Sequence, residues 1–405
     1  MFVWNPSLRE KMDQTLRAPF FLAEDVERLQ SSYNSGGLEA IMPLIQEKIN
    51  ALNNTELHIA VTGESGTGKS TFINAMRGLK NTDEGAAEIG NVETTMKPTK
   101  YQHPSFPEVY FWDLPGVGTV KYPAKKYLSE MNFQKYDFFI LLSGDRFKEH
   151  DTILAKEINL LEKKLYFVRS KIENSFHVQS GIVDKETELE KIRDNSVYNL
   201  EKAGISQPAV FLVSSYQTRE YDFPTLNETL ANNLNDIKKD VFVKSLPNTT
   251  VKVLAQKRDQ LKKRIWMLAT LSGGVGAVPV PGLSFACDLG ILVTGIIEFR
   301  TYLGLDDASL QRLANITGKP VEFLKAEVKT PLMGEINKEF IKRIVVGSTF
   351  VGISVAEVVL NFVPVIGSIF GATSSFALTY SLLNKVLDEL TENAQRMVTA
   401  AFATS

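Results

Sequence analysis

The sequence predicts an α/β domain with a mainly parallel sheet, flanked by helical segments at both ends of the chain. Between about residues 56 and 240, apolar runs that suit strands alternate with helical stretches, which is the pattern of a parallel sheet wrapped by helices. A glycine-rich stretch joins the first strand to a helix, and strand signals stop after Pro247. We therefore predict an N-terminal helical segment (1–55), an α/β domain (56–240) and a C-terminal helical domain (241–405).

Hydrophobic spacing indicates the individual elements. Near the N-terminus, apolar residues from Leu38 to Leu52 recur at roughly helical spacing. In the α/β domain, short apolar runs indicate buried strands, and the stretch from Asp151 to Lys164 suits a helix. The predicted strands are 57–61, 109–112, 138–142, 165–168 and 209–213.

The glycine-rich stretch has the sequence of a phosphate-binding loop, G-x-x-x-x-G-K-S. Glycines permit turns that point successive backbone N–H groups at phosphate oxygens, and the helix that follows adds a favourable dipole. Lys69 is predicted to reach the β- and γ-phosphates, and Ser70 is predicted to bind Mg²⁺. The predicted phosphate-binding residues are Gly63, Glu64, Ser65, Gly66, Thr67, Gly68, Lys69, Ser70 and Thr71.

A second motif, D-x-x-G, follows the strand predicted at 109–112. It begins at Asp113, and an aspartate at such a strand end can hold Mg²⁺. It ends at Gly116, whose amide can contact the γ-phosphate of a bound nucleotide. The two motifs together predict a magnesium-dependent nucleoside triphosphate site.

Residues 85–100 lie between these motifs, are polar and lack clear periodicity. This is typical of a loop that orders around a γ-phosphate and its magnesium ion. We predict that Thr95 contacts the metal, with Thr94 as the alternative. Glu93 is the best carboxylate for orienting the attacking water, because residues 114–118 contain no glutamine.

Two later segments are candidates for reading the base, since open α/β sheets bind ligands at the carboxyl ends of their strands. Residues 170–173 read S-K-x-E and resemble the guanine-reading motif [NT]-K-x-D. The carboxylate of Glu173, with Lys171 beside it, can accept hydrogen bonds from guanine N1–H and the 2-amino group, which adenine cannot supply. Ser214 and Ser215 resemble the loop whose amide meets guanine O6. The pair favours GTP, and ATP is the weaker alternative.

Several longer stretches carry the motifs of one protein family. They are 61–74 (VTGESGTGKSTFIN), 84–87 (EGAA), 92–96 (VETTM), 111–118 (FWDLPGVG), 135–140 (KYDFFI), 166–169 (YFVR), 221–224 (YDFP), 264–266 (RIW), 303–307 (LGLDD) and 309–313 (SLQRL). On these residues the chain resembles the immunity-related (interferon-inducible) GTPase family, and Lys69 groups it with members that keep the phosphate-loop lysine.

The resemblance implies a P-loop GTPase domain plus one helical domain formed by both ends of the chain. It implies binding of GTP and GDP with Mg²⁺, hydrolysis of GTP, and a GTP-dependent homo-oligomer. It further implies cell-autonomous defence at membranes around intracellular pathogens. Two positions depart from the family pattern. Phe2 stands where many relatives have an N-myristoylated glycine, and Glu173 replaces the usual Asp.

The resemblance implies a cytoplasmic, membrane-associated protein, and the composition and targeting signals agree with a location in a reducing compartment. The net charge of −2 gives no sign of nucleic-acid binding. The single cysteine, Cys287, cannot form an internal disulfide and fits a reducing compartment. Charged residues interrupt the N-terminus before any apolar run, so the sequence shows no secretory signal.

The C-terminal part holds two long uncharged segments, Met267 to Cys287 and Val358 to Asn384. Each is longer than the ~18 residues of a membrane-spanning candidate, and each contains a proline and glycine break, at 277–282 and 362–367. Two alternatives follow. Each segment is either a helical hairpin packed inside the helical domain or an apolar segment that inserts into a membrane or attaches to its surface.

A second function also fits the sequence. The chain would then be a nucleotide-gated membrane scaffold with slow or no hydrolysis, in which the apolar C-terminal segments do the work. The missing glutamine after D-x-x-G and the replacement at Glu173 favour this alternative, whereas the intact Lys69, Ser70 and Asp113 favour an enzyme.

Overall fold

The computed structural model describes residues 23–90, 97–115, 131–144, 146–177, 185–276, 283–337, 339–340 and 374–403. The chain divides into two compact units. The α/β unit contains Thr55–Thr249, and the helical unit combines the chain up to Asn54 with the chain from Thr250 onward. The α/β unit therefore continues beyond the border predicted at residue 240.

The described residues form the following elements, numbered along the chain. The strands are β1 (Leu57–Gly63), β2 (Thr99–Gln102), β3 (Val109–Asp113), β4 (Phe138–Ser143), β5 (Lys164–Arg169) and β6 (Val210–Leu212). The helices are α1 (Ala23–Asn54), α2 (Lys69–Met76), α3 (Glu149–Leu160), α4 (Asn174–His177), α5 (Lys185–Lys202), α6 (Phe223–Asn232), α7 (Asp236–Ser245), α8 (Val251–Gly276), α9 (Leu283–Tyr302), α10 (Asp307–Thr317), α11 (Val321–Ala326) and α12 (Ser374–Phe402).

The strands form one six-stranded sheet in the order β2-β3-β1-β4-β5-β6. Neighbours from β3 to β6 are parallel, and β2 pairs antiparallel with β3. The predicted fold class, an α/β domain with a mainly parallel sheet plus a helical domain, is confirmed. Parallel pairing places the carboxyl ends of β1, β3, β4, β5 and β6 at one edge of the sheet.

Two elements differ from the predicted pattern. β2 is a short run of polar, mostly exposed residues at the edge of the sheet, so hydrophobic spacing predicts no strand there. The predicted loop 85–100 overlaps its first two residues. The helix predicted at 151–164 instead ends at Leu160, because the chain turns and Lys164 already belongs to β5. The turn passes through Glu162, whose φ of 54° lies in the left-handed region.

The core of the α/β unit surrounds β1 and β4. All six residues of β4 are buried. Phe139 and Leu141 of β4 share an apolar cluster with Leu154 and Ile158 of α3. Full burial of each such side chain contributes roughly 1.5–3 kcal/mol. This packing holds β1 at the centre of the sheet, directly before the glycine-rich loop.

In the helical unit, α8 packs against α12, α9 and α1. The first proline and glycine break, 277–282, falls between α8 and α9 and lies outside the described residues, as does the second break, 362–367. The helices on either side of the first break have 26 and 20 residues. Of the helices that the structure describes, none is long and apolar enough to cross a membrane.

A buried lysine joins two of these helices. Lys257 in α8 is 1% exposed, and its Nζ donates a hydrogen bond of 2.9 Å to the carbonyl oxygen of Tyr302 at the end of α9. Burial, reinforced by the positive charge of Arg312 and opposed by Asp306, lowers the pKa of Lys257 to about 7. An unfolded lysine has a pKa of ~10.4, so between these values the unfolded chain binds more protons and stability rises with pH.

Replacing Lys257 with Met removes the titrating amine and should remove this pH dependence. We expect the free energy of unfolding of the wild type to rise by about 2 kcal/mol, relative to Lys257→Met, between about pH 7 and pH 9. Urea denaturation followed by far-ultraviolet circular dichroism measures the difference, and Lys262→Met, at an exposed position of the same helix, is the control. A difference that does not change with pH would contradict proton loss by Lys257.

Candidate nucleotide-binding site

The glycine-rich loop runs from the end of β1 to the start of α2. Gly68 precedes α2 in a left-handed conformation, with φ of 90°. Thr67 closes a turn across the loop, because its hydroxyl donates to the carbonyl oxygen of Glu64 at 2.9 Å. Ser65 and Gly66 are exposed at the tip of the loop, and Thr71 is half-buried in the first turn of α2.

Lys69 folds back over this loop. Its side chain is largely buried, and its Nζ donates to the carbonyl oxygens of Gly63 at 3.2 Å and Glu64 at 3.1 Å. The ammonium group is therefore held at the loop itself and not in solvent. A compact positive charge at the start of a helix suits a phosphate group, because the helix dipole acts in the same direction.

Ser70 and Asp113 meet at the carboxyl edge of the sheet. The Ser70 hydroxyl donates to Oδ2 of Asp113 at 2.8 Å, and Asp113 is fully buried at the end of β3. A hydroxyl and a carboxylate oxygen this close are hard oxygen ligands of the kind that Mg²⁺ prefers. The pair fits a magnesium ion that takes its other ligands from phosphate oxygens and water.

This arrangement does not require a larger cluster of protein ligands. Within the described part of the chain, no three His, Cys, Asp or Glu side chains gather as a metal site. Mg²⁺ usually binds through one or two protein groups together with substrate phosphates.

Ser170 and Lys171 connect the loop after β5 to the phosphate loop. The Ser170 hydroxyl lies 2.6 Å from the carbonyl oxygen of Thr67 and 3.0 Å from that of Ser143. Nζ of Lys171 donates to the carbonyl oxygen of Gly66 at 2.8 Å. Lys171 has a left-handed φ of 56°, which turns the chain here. The loop proposed to read the base thus supports the loop proposed to bind phosphate.

Glu173 and Ser214 lie on neighbouring loops. Backbone hydrogen bonds from Ile172 to Val213 and from Val213 to Arg169, of 3.3 and 2.9 Å, hold the two loops together. Ser214 is fully buried and Ser215 is half-buried.

Glu173 has an acceptor that is available for a ligand. Its Oε2 atom is buried, and among the described residues it has no hydrogen-bond partner. A buried acceptor without a donor is costly, and the N1–H and 2-amino groups of guanine are donors of the required kind. The buried position of Oε2 is compatible with the predicted base-reading role of Glu173, despite the extra methylene of glutamate.

Some contacts at the site have no signal in the sequence. The carboxylate of Glu64 forms an ion pair with Lys148, which follows β4. The Ser143 hydroxyl donates to Asp151 at 2.7 Å, and this carboxylate also accepts the backbone N–H of Lys148. Burial raises the pKa of Asp151, and the two hydrogen bonds oppose that shift. These contacts join residues that motif analysis treats separately.

Four residues predicted for the γ-phosphate side of the site lie outside the described residues. They are Glu93, Thr94, Thr95 and Gly116. The structure brings together Lys69, Ser70, Asp113 and Lys171, and it places Glu173 and Ser214 on adjoining loops at the same edge of the sheet.

Comparison with known proteins identifies close relatives. The family model "Interferon-inducible GTPase (IIGP)" matches residues 22–401. Interferon-inducible GTPase 5 of Rattus norvegicus is 38% identical over 379 residues, which cover 92% of this chain and 82% of the relative. Interferon-gamma-inducible GTPase 10 of Mus musculus is 36% identical over 385 residues, covering 92% and 88%. Among solved structures, Toc33 from Arabidopsis thaliana in complex with Mg²⁺ and GMPPNP is a distant match, with 16% identity, a TM-score of 0.32 and coverage of 50% and 82%.

Alanine substitutions at two glycines of the loop should separate close approach from backbone strain. A Cβ at Gly63 (φ of 142°) would lie 2.1 Å from the carbonyl oxygen of Leu142 in β4, whereas a Cβ at Gly66 (φ of 80°) meets nothing within 4 Å. We expect Gly66→Ala to cost about 1–2 kcal/mol, from strain alone. Gly63→Ala should cost clearly more, because the backbone of β4 must move. Chemical denaturation of both variants measures this, and equal losses would contradict the close approach.

Proposed function

Since the chain belongs to the interferon-inducible GTPase family, whose members bind and hydrolyse GTP, we propose that it carries out this reaction with Mg²⁺ and that its nucleotide state controls self-assembly. The observation that supports the metal site is the 2.8 Å contact between the hydroxyl of Ser70 and the carboxylate of Asp113. It joins the phosphate loop to the second motif, D-x-x-G, at the carboxyl edge of the sheet.

In the proposed mechanism, each residue acts on a different part of GTP. Lys69 and the loop amides bind the β- and γ-phosphates, and Ser70 and Asp113 hold the metal. When bound, Mg²⁺ neutralises charge that develops on the phosphate oxygens during transfer. Lys171, Glu173, Ser214 and Ser215 contact the guanine base.

The remaining roles concern the γ-phosphate. We propose that Thr95 completes the metal site and that the amide of Gly116 contacts the γ-phosphate. Glu93 is the proposed residue for orienting the attacking water. These assignments rest on their positions relative to the phosphate loop and D-x-x-G.

The cellular role is proposed from the family resemblance. The chain would form a GTP-dependent homo-oligomer and act in cell-autonomous defence at intracellular membranes, as a cytoplasmic protein that associates with them. The contact with membrane would be peripheral or made through the apolar segments 267–287 and 358–384. The alternative is a nucleotide-gated membrane scaffold in which hydrolysis is slow or absent.

Titration of the purified protein with GTP, GDP and ATP, with and without Mg²⁺, tests this function. Lys69→Ala should lose tight binding of both guanine nucleotides, because the phosphates lose a charge that is held at the loop by two carbonyl contacts. An unchanged GTP affinity in Lys69→Ala would remove the phosphate-loop assignment. Turnover that is absent from a protein that binds GTP tightly would favour the scaffold.

Glu173 provides a separate test of base recognition. Glu173→Ala should reduce the preference for GTP over ATP by about 1–3 kcal/mol, or roughly 5- to 150-fold, because two guanine donors lose their acceptor. Glu173→Asp, which keeps the carboxylate, should preserve or improve that preference. Competition binding of GTP and ATP measures the ratio. Equal ratios in the wild type and both variants would show that Glu173 does not read the base.

A further prediction concerns the protein concentration. If GTP-bound copies complete each other's active sites, turnover per molecule should rise as the protein is concentrated, and light scattering should rise with GTP but not with GDP. Lys69→Ala serves as the control that cannot hold nucleotide. Turnover per molecule that stays constant over the same concentrations would indicate an active site complete within one copy.

A further inference from the structure

Arg77 links the far end of α2 to the edge strand β2. It follows the last residue of α2 and is 5% exposed. Its Nε and Nη2 atoms both donate to the carbonyl oxygen of Gln102, at 3.1 and 2.9 Å. The guanidinium also lies over the ring of Tyr101, with 5.5 Å between Cζ and the ring centroid. The contact therefore combines two hydrogen bonds to one strand with aromatic stacking on the same strand.

The helix is thus held to the sheet at both of its ends. At its start, the Ser70 hydroxyl contacts Asp113 in β3. At its end, Arg77 contacts Gln102 in β2, and β2 pairs with β3 so that Thr99 lies opposite Asp113. Seven residues of helix from Ser70 to Arg77 span about 10 Å, at about 1.5 Å per residue. Three residues of strand from Thr99 to Gln102 also span about 10 Å, at about 3.3 Å per residue.

The two end contacts of α2 are therefore about as far apart along the helix as they are along the strand, and both can form at once without distortion. If α2 tilted or slid along β2 and β3, one of the two end contacts would lengthen. Asn74 adds a contact of a different kind, because its side-chain amide pairs with the N–H and carbonyl groups of Ala87 at 2.6 and 3.0 Å. Ala87 is not part of the sheet, so this contact does not set the tilt of α2 against β3.

A contribution of Arg77 to the free energy of unfolding does not by itself explain why a charged residue lies at this position. Burial lowers the pKa of Arg77 to about 10, a shift that Tyr101 opposes. Among the described residues, the guanidinium contacts the carbonyl oxygen of Gln102 and the ring of Tyr101, and neither group is a carboxylate. Its Nη1 atom is buried and donates to no described residue. A buried charge without a counter-ion costs stability, and an apolar side chain of similar volume is often neutral or stabilising in such a place.

We propose that Arg77 is a positioning residue for the magnesium site: it fixes α2 against β2 and β3 so that Ser70 and Asp113 stay close enough to share one metal ion. This inference rests on the magnesium site of the proposed function. Arg77 touches neither nucleotide nor metal and acts through the orientation of α2. Removing it should weaken the binding of Mg²⁺ while leaving the contacts of the loop with the nucleotide in place.

The test is the Mg²⁺ dependence of nucleotide binding, which needs no turnover. A fluorescent GDP analogue is bound to the full-length protein while the Mg²⁺ concentration is varied. In Arg77→Met, the half-saturating Mg²⁺ concentration should rise roughly tenfold, the lower end of the range for loss of a partner that orients a metal ligand. The affinity for the analogue without Mg²⁺ should be unchanged, and the melting temperature should be unchanged or higher.

Arg193→Met is a matched control in the same unit. Arg193 donates to the carbonyl oxygen of Val210 in β6 at 2.8 Å and pairs with Asp222, at the opposite edge of the sheet. The Arg193→Met variant should keep the half-saturating Mg²⁺ concentration of the wild type. An equal rise in both variants would mean a general loosening and would overturn the proposal.

The remaining outcomes separate the proposal from the function on which it rests. An Arg77→Met protein with the Mg²⁺ dependence of the wild type overturns the positioning role alone. A wild type whose GDP binding ignores Mg²⁺ overturns the magnesium site and the positioning role together. If Arg77→Met does not fold, Arg77→Lys, which keeps the charge but not the fork of donors, should show a smaller rise in the Mg²⁺ requirement. Loss of folding in both variants overturns the proposal.

Discussion

Parallel pairing of the central strands is the constraint on which the site depends. Parallel strands finish at one edge of a sheet, so residues that follow β1, β3, β4, β5 and β6 converge there, however far apart they lie in sequence. The register of β1 and β3 then sets the distance between the two motifs along that edge. Asp113 lies opposite Val61, and Val61 is two residues before Gly63, where the phosphate loop begins. The contact between Ser70 and Asp113 is therefore a product of the sheet as much as of either motif.

Features that depend on a few adjacent residues could be predicted from the sequence. The phosphate loop is one, because only glycine readily allows the backbone at positions such as Gly63, where a Cβ would meet β4. The assignment of Asp113 is another, because D-x-x-G, which is common by itself, becomes specific when it follows an apolar strand 44 residues after Lys69. The family and the GTPase class followed from longer runs of such motifs, and the family model and the relatives confirm both.

Features that depend on distant contacts could not be predicted in the same way. The polar strand β2 owes its existence to pairing with β3, and its own residues carry no apolar signal. Ser170 reaches Thr67, 103 residues earlier, and Lys148 reaches Glu64, 84 residues earlier. No periodic pattern of neighbouring residues in the sequence predicts either contact. The predicted border at residue 240 differs from the end of the α/β unit for a related reason. Half of α7 lies beyond residue 240, yet α7 packs with β1 and β3.

The helical unit is discontinuous in sequence, and this affects the order in which the protein can fold during synthesis. α1 leaves the ribosome first, but its helical partner α8 follows the whole of Thr55–Thr249. The α/β unit is continuous and can complete its sheet while α1 is still without that partner. Its two ends are then tethered to a single unit, so the intervening 195 residues become a closed loop that begins two residues before β1.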